Sequence, residues 1–381
     1  PESGFFSLPI EYLQHYDEPV QRVSIKVIAP EGTTVHFLFK DSVAVQKTIA
    51  DGLQLHEAVM DNIPAVRKEP YAGGRQNCLH YYSFSTMDGF SDFSAWYRGI
   101  LMRRSSGRGV PASRFKRNTL EETINAVYDF VAREIELRRS VLYLPDYPEN
   151  TLFRKSGSPE EKALLAQALL KRLGIISYVA FARDRFLPGT ADCLYPGYFT
   201  HILVHVPLDV RNALWLDFTS RYFRCGVTAC AVDGAEALVL LHDSYGRGRV
   251  RSLGEPSIVR RYDIAVRDDG SALCDIEASF IDTKGEMRKY FSSPSDREES
   301  VRRFFSGGVP GFSMDTFRVE NYRECDRPFM VAAKGSGYGL AQPEPGRMIL
   351  RPVLNKSGVH GYAALPEREH PLAIEEPIDE R

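Results

Sequence analysis

Between residues 157 and 219 the sequence passes from a complete helix-start signal straight into three strand-like segments, and this order constrains the fold more than any other feature. Ser158 is placed to cap, Pro159 takes the first helical position, where its missing N–H is not needed, and Glu161 stands three residues after the cap. Gly174 supplies the stop. The segments 177–183, 200–206 and 213–219 then carry the β-branched and aromatic residues of strands. Upstream, Thr119 and Glu122 form a second capping box ahead of Leu120, Ile124, Val127, Tyr128, Val131 and Ile135, which share one helical face and predict a helix running to about Leu137. Two helices followed by an antiparallel sheet define an α+β class for the middle of the chain.

The flanks read differently. From Ser24 to about Arg67 apolar and polar residues alternate, broken by turn signals at Pro30-Glu31-Gly32 and Asp51-Gly52. A helix is predicted over 91–102, with Phe93, Trp96, Tyr97 and Leu101 on one side. The Arg-, Ser- and Gly-rich stretch 103–111 reads as an exposed loop and a boundary. Beyond Pro256 the β pattern returns in Tyr262 to Val266, the turn Asp268-Asp269-Gly270, and alternating Ala272, Cys274, Ile276, Ala278 and Phe280, with one helix predicted over 295–305. The expected division is 1–105 β-rich, 106–252 α+β, and 253–381 β-sandwich-like with a poorly packed tail. Gly335-Ser336-Gly337-Tyr338-Gly339 lacks the context of a phosphate loop and reads as a flexible turn.

A length of 381 residues allows several cores, and a net charge of −2 with mixed signs gives no field to draw nucleic acid or an anionic membrane. No apolar run approaches the roughly 20 residues of a membrane span. The start, Pro1-Glu2-Ser3-Gly4, lacks Met and a signal-like pattern and reads as a trimmed or mature chain. Six cysteines without a C-x-x-C pair suggest isolated thiols rather than zinc or redox chemistry; a Cys225–Cys230 disulfide stays open.

Chemistry is suggested by the strands. A hairpin loop centred on Asp209 places Val206 opposite Asn212, Leu203 opposite Trp215 and His201 opposite Asp217, with His201, Leu203 and His205 on one face. A His held by an Asp is either a structural polar pair or the base and orienter that activate a nucleophile. A zinc site from His201 and His205 fails on distance, because four strand residues span about 13 Å while ligands sit near 2 Å. No metal or cofactor is expected.

Ordered stretches from Pro19 to Val239 carry a resemblance. They include Asp61-Asn62-Ile63-Pro64-Ala65, Tyr82-Ser83-Phe84-Ser85-Thr86, Ala95-Trp96-Tyr97, Tyr128-Asp129-Phe130-Val131, Gly157 to Leu165, Phe199-Thr200-His201 and Trp215-Leu216-Asp217-Phe218-Thr219. Together they resemble the transglutaminase-like superfamily, a papain-like Cys-His-Asp core, in its bacterial arrangement with a β domain on each side. The resemblance implies that His201 and Asp217 match the family pair and that Pro159 stands where the nucleophilic Cys would be, which makes the pair vestigial. It also suggests an extracytoplasmic location. A proline offers neither a thiolate nor the N–H that helps bind an oxyanion, and Glu160 and Glu161 set negative charge at the same helix end.

Three functions remain in view. The first is a non-catalytic module binding a peptide or protein, its cleft lined by Trp96, Ser158, Cys193 and Trp215, although aromatics at such spacing are commonly core. The second is a hydrolase or transpeptidase using Cys193 or Ser158 as relocated nucleophile. The third is a structural spacer, against which the retained His and Asp argue.

Overall fold

The computed structural model describes residues 5–104, 109–138, 144–187, 196–210, 212–254, 257–281, 286–292, 295–306, 309, 311–350, 365, 367–370 and 379–380. Two compact units divide the chain, one of residues 1–218, 231–251 and 365–374, the other of 219–230, 252–364 and 375–381.

The first unit opens with β1 (Ser7–Tyr12), β2 (Val20–Pro30), β3 (His36–Phe39), β4 (Val45–Ala50), β5 (Leu53–Ile63), the single turn α1 (Arg75–Cys78) and β6 (Tyr81–Ser85). These form two three-stranded sheets, β1-β6-β3 and β2-β5-β4. The β4–β5 hairpin shows why Asp51-Gly52 is where it is: both residues have positive φ, 53° and 74°, the two-residue turn whose twist matches the strands. Then come α2 (Phe90–Arg104), α3 (Leu120–Asp129), β7 (Glu136–Leu137), α4 (Pro148–Arg154), β8 (Ser156–Gly157) and α5 (Pro159–Arg172).

A central five-stranded sheet completes this unit. Its strands are β9 (Tyr178–Ala182), β10 (His201–Pro207), β11 (Ala213–Asp217), β12 (Glu236–Leu240) and β13 (Tyr245–Arg249), in the order β11-β10-β9-β12-β13 with every pair antiparallel. Its strands are distinct from those of the two sheets before it. Rings from α2 seal one face: Phe93 and Tyr97 meet Phe181 edge-on at 5.1 and 4.6 Å, and Phe93 lies 4.9 Å from Phe199. Such contacts add about 0.5–1.5 kcal/mol each beyond burial.

The helix expected to reach Leu137 stops short. After Asp129 the chain makes a π-helical turn, Phe130–Glu134, and then a strand, β7, parallel to β8. Two tertiary partners override the helical pattern. The ammonium of Lys162, a residue 1% exposed, donates to the carbonyls of Ala132 and Ile135 at 3.2 and 2.9 Å. The Glu136 and Arg138 N–H groups donate to Lys155 and Gly157 carbonyls.

The second unit contains β14 (Ser257–Val266), β15 (Ala272–Ile281), α6 (Glu286–Tyr290), α7 (Arg297–Ser306), β16 (Ser313–Glu320), β17 (Phe329–Gly337), β18 (Ala341–Glu344), β19 (Arg347–Leu350) and β20 (Asp379–Glu380). Its main sheet runs β16-β17-β15-β14-β20, and β18 pairs with β19. Ala272, Cys274, Ile276, Ala278 and Phe280 alternate inward, as their sequence pattern predicts, and pack with Phe291, Val301 and Phe305. The segment 335–339 is not a flexible turn throughout: Gly335 and Gly337 belong to β17, and a Cβ at Gly335 would stand 2.0 Å from the Ser313 carbonyl oxygen. Glycine is there for close strand approach. No helix among the described residues is long and apolar enough to cross a membrane.

Candidate functional site

The start of α5 is built as a closed polar knot. Ser158, 2% exposed, donates its N–H to Glu161 Oε2 at 2.8 Å, and its hydroxyl accepts the Glu161 N–H at 3.3 Å, so both halves of the capping box are present. Pro159 occupies the first helical position. Glu161 is also clasped by Arg138 at 3.0 Å and Arg154 at 3.1 Å. Gly157 lies against this knot, since a Cβ there would fall 2.9 Å from Thr151 Cγ2 and 3.1 Å from Glu161 Cβ. The Ser158 N–H is thus taken by a carboxylate and the Glu161 N–H by a hydroxyl, and Pro159 between them has none to offer.

A different condition holds just beside it. Glu160 Oε2 and the Tyr97 hydroxyl are both buried and have no hydrogen-bond partner among the described residues. Burial, with the Glu160 charge nearby, drives the Tyr97 hydroxyl far above its ordinary pKa, so it stays a neutral donor. Sequence reading placed Tyr97 on the apolar side of its helix and weighed it, with Trp96 and Trp215, as a groove-lining ring.

The His and Asp strands are adjacent, but their register differs from the expected one. β10 and β11 set Leu203 opposite Asp217 and His205 opposite Trp215, two residues along from the predicted pairing. The cause is the turn. Asp209 accepts from the Asn212 N–H and side-chain amide at 2.8 and 2.7 Å, and the Leu208 N–H donates to Asn212 O, which centres the loop on Val210 rather than on Asp209. A shift of two preserves the face and changes the partner. His201, Leu203, His205, Trp215 and Asp217 still share one side of the sheet, opposite the side that carries Phe181.

His201 is half-buried, and its Nδ1 lies 2.9 Å from Thr200 Oγ1. That hydroxyl oxygen also accepts the Asp184 N–H at 2.8 Å, so one hydroxyl serves both the imidazole and a backbone N–H. A triad base holds its Nδ1 against a carboxylate, whereas the His201 Nδ1 meets a hydroxyl. Asp217 itself is wholly buried, and its backbone carbonyl accepts from the Tyr128 hydroxyl at 3.0 Å.

The other named residues fall as follows. Trp215, 3% exposed, lies 4.6 Å from the His205 ring and covers Gly248, where a Cβ would be 3.1 Å from the indole; it packs as a core ring. His205 is half-buried, burial lowers its pKa, and its Nδ1 has no partner among the described residues. Trp96 is half-buried beside Phe93 and Tyr97. Cys193 lies outside the described residues, as does Pro256. Among the described residues no three His, Cys, Asp or Glu side chains come together closely enough to hold a metal ion.

Neither a family model nor a curated protein matches this sequence. Among solved structures, the chain is similar to one from Parabacteroides distasonis described as a "putative protease", with a TM-score of 0.55 and 13% identity over 93% of this chain and 72% of that one. A second, from Cytophaga hutchinsonii, described as a "putative cysteine protease", aligns over 56% of this chain and 71% of that one at 10% identity, with a TM-score of 0.23 that carries no argument. The first similarity establishes a likeness of fold across nearly the whole chain, one mixing helices and sheets as this chain does.

Proposed function

We propose that this chain is a transglutaminase-like protein that has lost its thiol nucleophile and works by binding a peptide or protein rather than by cleaving or joining one. One observation carries the reading: Pro159 holds the first position of α5 inside a complete, buried capping box. By resemblance this is the nucleophile position, and proline brings neither sulfur nor N–H to it. The Ser158 hydroxyl is engaged by the Glu161 N–H, which argues against serine as a substitute. The Thr200 contact at Nδ1 argues in the same direction, because it turns His201 away from the role of a carboxylate-held base. A "putative protease" of like fold fits a peptidase-like cleft kept for recognition. The same reading divides the chain into a β-rich part, a transglutaminase-like part and a second β part, with His201 and Asp217 as a vestigial pair.

The test is direct. Purified protein offered peptide amides, esters and acceptor amines should show no turnover above buffer, before or after cysteine alkylation. Pro159→Cys should create a thiol that reacts with iodoacetamide faster than the native ones. Turnover by the unmodified chain that is lost on Cys193→Ala or Ser158→Ala would overturn the proposal.

A further inference from the structure

At the end of the central sheet next to His201 there is a cavity of about 370 Å³, within the size range of small-ligand sites. Its apolar wall comes from Phe90, Tyr198 and Phe199, and three guanidinium groups, of Arg183, Arg185 and Arg247, line it as well. Two of the cations lie over rings of that wall: Arg183 over Tyr198 at 4.4 Å and Arg247 over Phe90 at 5.1 Å. A guanidinium lying on a ring directs its N–H edge sideways, the geometry that receives a carboxylate through two parallel hydrogen bonds. Arg183 is further fixed, donating to Tyr198 O at 2.7 Å and Gln76 Oε1 at 3.0 Å. Arg247 is exposed and has no carboxylate within ion-pair distance among the described residues.

Two acids also line the cavity. Asp184 turns one oxygen to the Phe186 N–H at 2.8 Å, and Glu236 is exposed on β12. One of the acids is thus committed to its own loop. The cavity is tied to the candidate site by a short relay, since the Asp184 N–H and His201 Nδ1 meet at the same Thr200 oxygen.

From this arrangement we infer that the cavity binds a carboxylate carried on an apolar or aromatic body, with Arg247 as its main ion partner and the Phe90, Tyr198 and Phe199 rings holding the body. The inference deepens the peptide-binding reading and rests on it in one respect: a free C-terminal residue of a peptide is the ligand that would fill this cavity. A free aromatic acid presents the same chemistry without the chain.

Calorimetric titration of the whole protein separates these cases. The probes are acetyl-Ala-Ala-Phe with a free carboxylate, the same peptide as its C-terminal amide, and N-acetyl-phenylalanine. The free acid should bind roughly tenfold or more tighter than the amide, as a charge-assisted contact implies. Arg247→Ala should erase that ratio, and Arg247→Lys should restore part of it; Arg247 is exposed, so an unchanged melting curve checks that the fold survives. Equal binding of acid and amide sinks the carboxylate site while leaving a peptide-binding protein. Equal affinity of N-acetyl-phenylalanine and the longer acid, both beating the amide, keeps the carboxylate site and removes the peptide reading. No binding of any probe at millimolar concentration overturns the inference, as does an acid preference that Arg247→Ala leaves intact.

Discussion

The starts of α3 and α5 are the same device in two surroundings. Each has a hydroxyl cap, a Glu three residues on, and both reciprocal hydrogen bonds. At α3, Thr119 and Glu122 are exposed, and water competes for every group they hold. At α5, Ser158 and Glu161 are 2% and 7% exposed, and Glu161 additionally neutralises Arg138 and Arg154. A motif therefore tells where a helix begins, while burial decides how much depends on it. At α5 the cap joins β8, α4 and the segment after α3, so Pro159 stands at a structural joint.

Removing the shared acid gives the largest separation. Glu161→Ala leaves the buried Ser158 N–H without its acceptor and two partly exposed arginines without their common partner, and should lower unfolding free energy by about 2–3 kcal/mol, most of it from the unsatisfied N–H. Glu122→Ala should cost about 1 kcal/mol or less. Urea titrations of both variants check this, and similar losses would mean that the two starts are equivalent after all.

Gly157→Ala probes the packing of the α5 knot while keeping every charged residue of it in the sequence. The new methyl group would need Thr151 and Glu161 to shift by several tenths of an ångström, which predicts a loss of about 1–3 kcal/mol, as for overpacking. Wild-type stability in that variant would show that the knot is loose. The caps themselves should differ less, with Ser158→Ala near the upper end of the ~0.5–2 kcal/mol range for capping residues and Thr119→Ala near the lower end. Thermal melts of the pair suffice, and a reversed order would break the comparison.

Much of this was legible in the sequence, for local reasons. The α5 start, the Asp51-Gly52 hairpin and the inward alternation of β15 each follow from a few neighbouring residues. What escaped depends on distant partners. Nothing local says that Lys162 will take the carbonyls of Ala132 and Ile135 and end a helix whose apolar spacing continues to Ile135. The β10–β11 register was lost to one Asx-type turn at Asp209, although the shared face of His201 and Asp217 survived because the slip was even. β12 and β13 went unread altogether; Tyr245 to Arg249 alternates glycine with charged and aromatic residues, and it is held by pairing with β12 and by Trp215 over Gly248. The arginines and rings of the cavity near His201 come from separate segments, at Phe90, at Arg183 and Arg185, at Tyr198 and Phe199, and at Arg247, beyond any spacing rule.

The smallest expected effect is a pH dependence that reaches α5 through Arg154 and has no counterpart at α3. Asp146 binds the same arginine that clasps Glu161, at 2.6 Å, and also accepts from Asn150 at 2.9 Å and the Tyr147 N–H at 2.7 Å. Burial alone would push its carboxyl pKa up, but the Asn150, Arg154 and Tyr147 hydrogen bonds outweigh that and hold it below the ordinary value. The folded state thus binds this proton less readily than the unfolded chain. The stabilisation is complete above the unfolded value of about 4 and is lost as pH falls through the lower folded one. Urea midpoints followed from pH 5 to pH 2.5 should therefore decline less steeply for Asp146→Asn than for the native chain, while Thr119→Ala should keep the native slope. If Asp146→Asn has the native slope as well, Asp146 is not coupled to the knot, and α5 begins on Glu161 and its arginines alone.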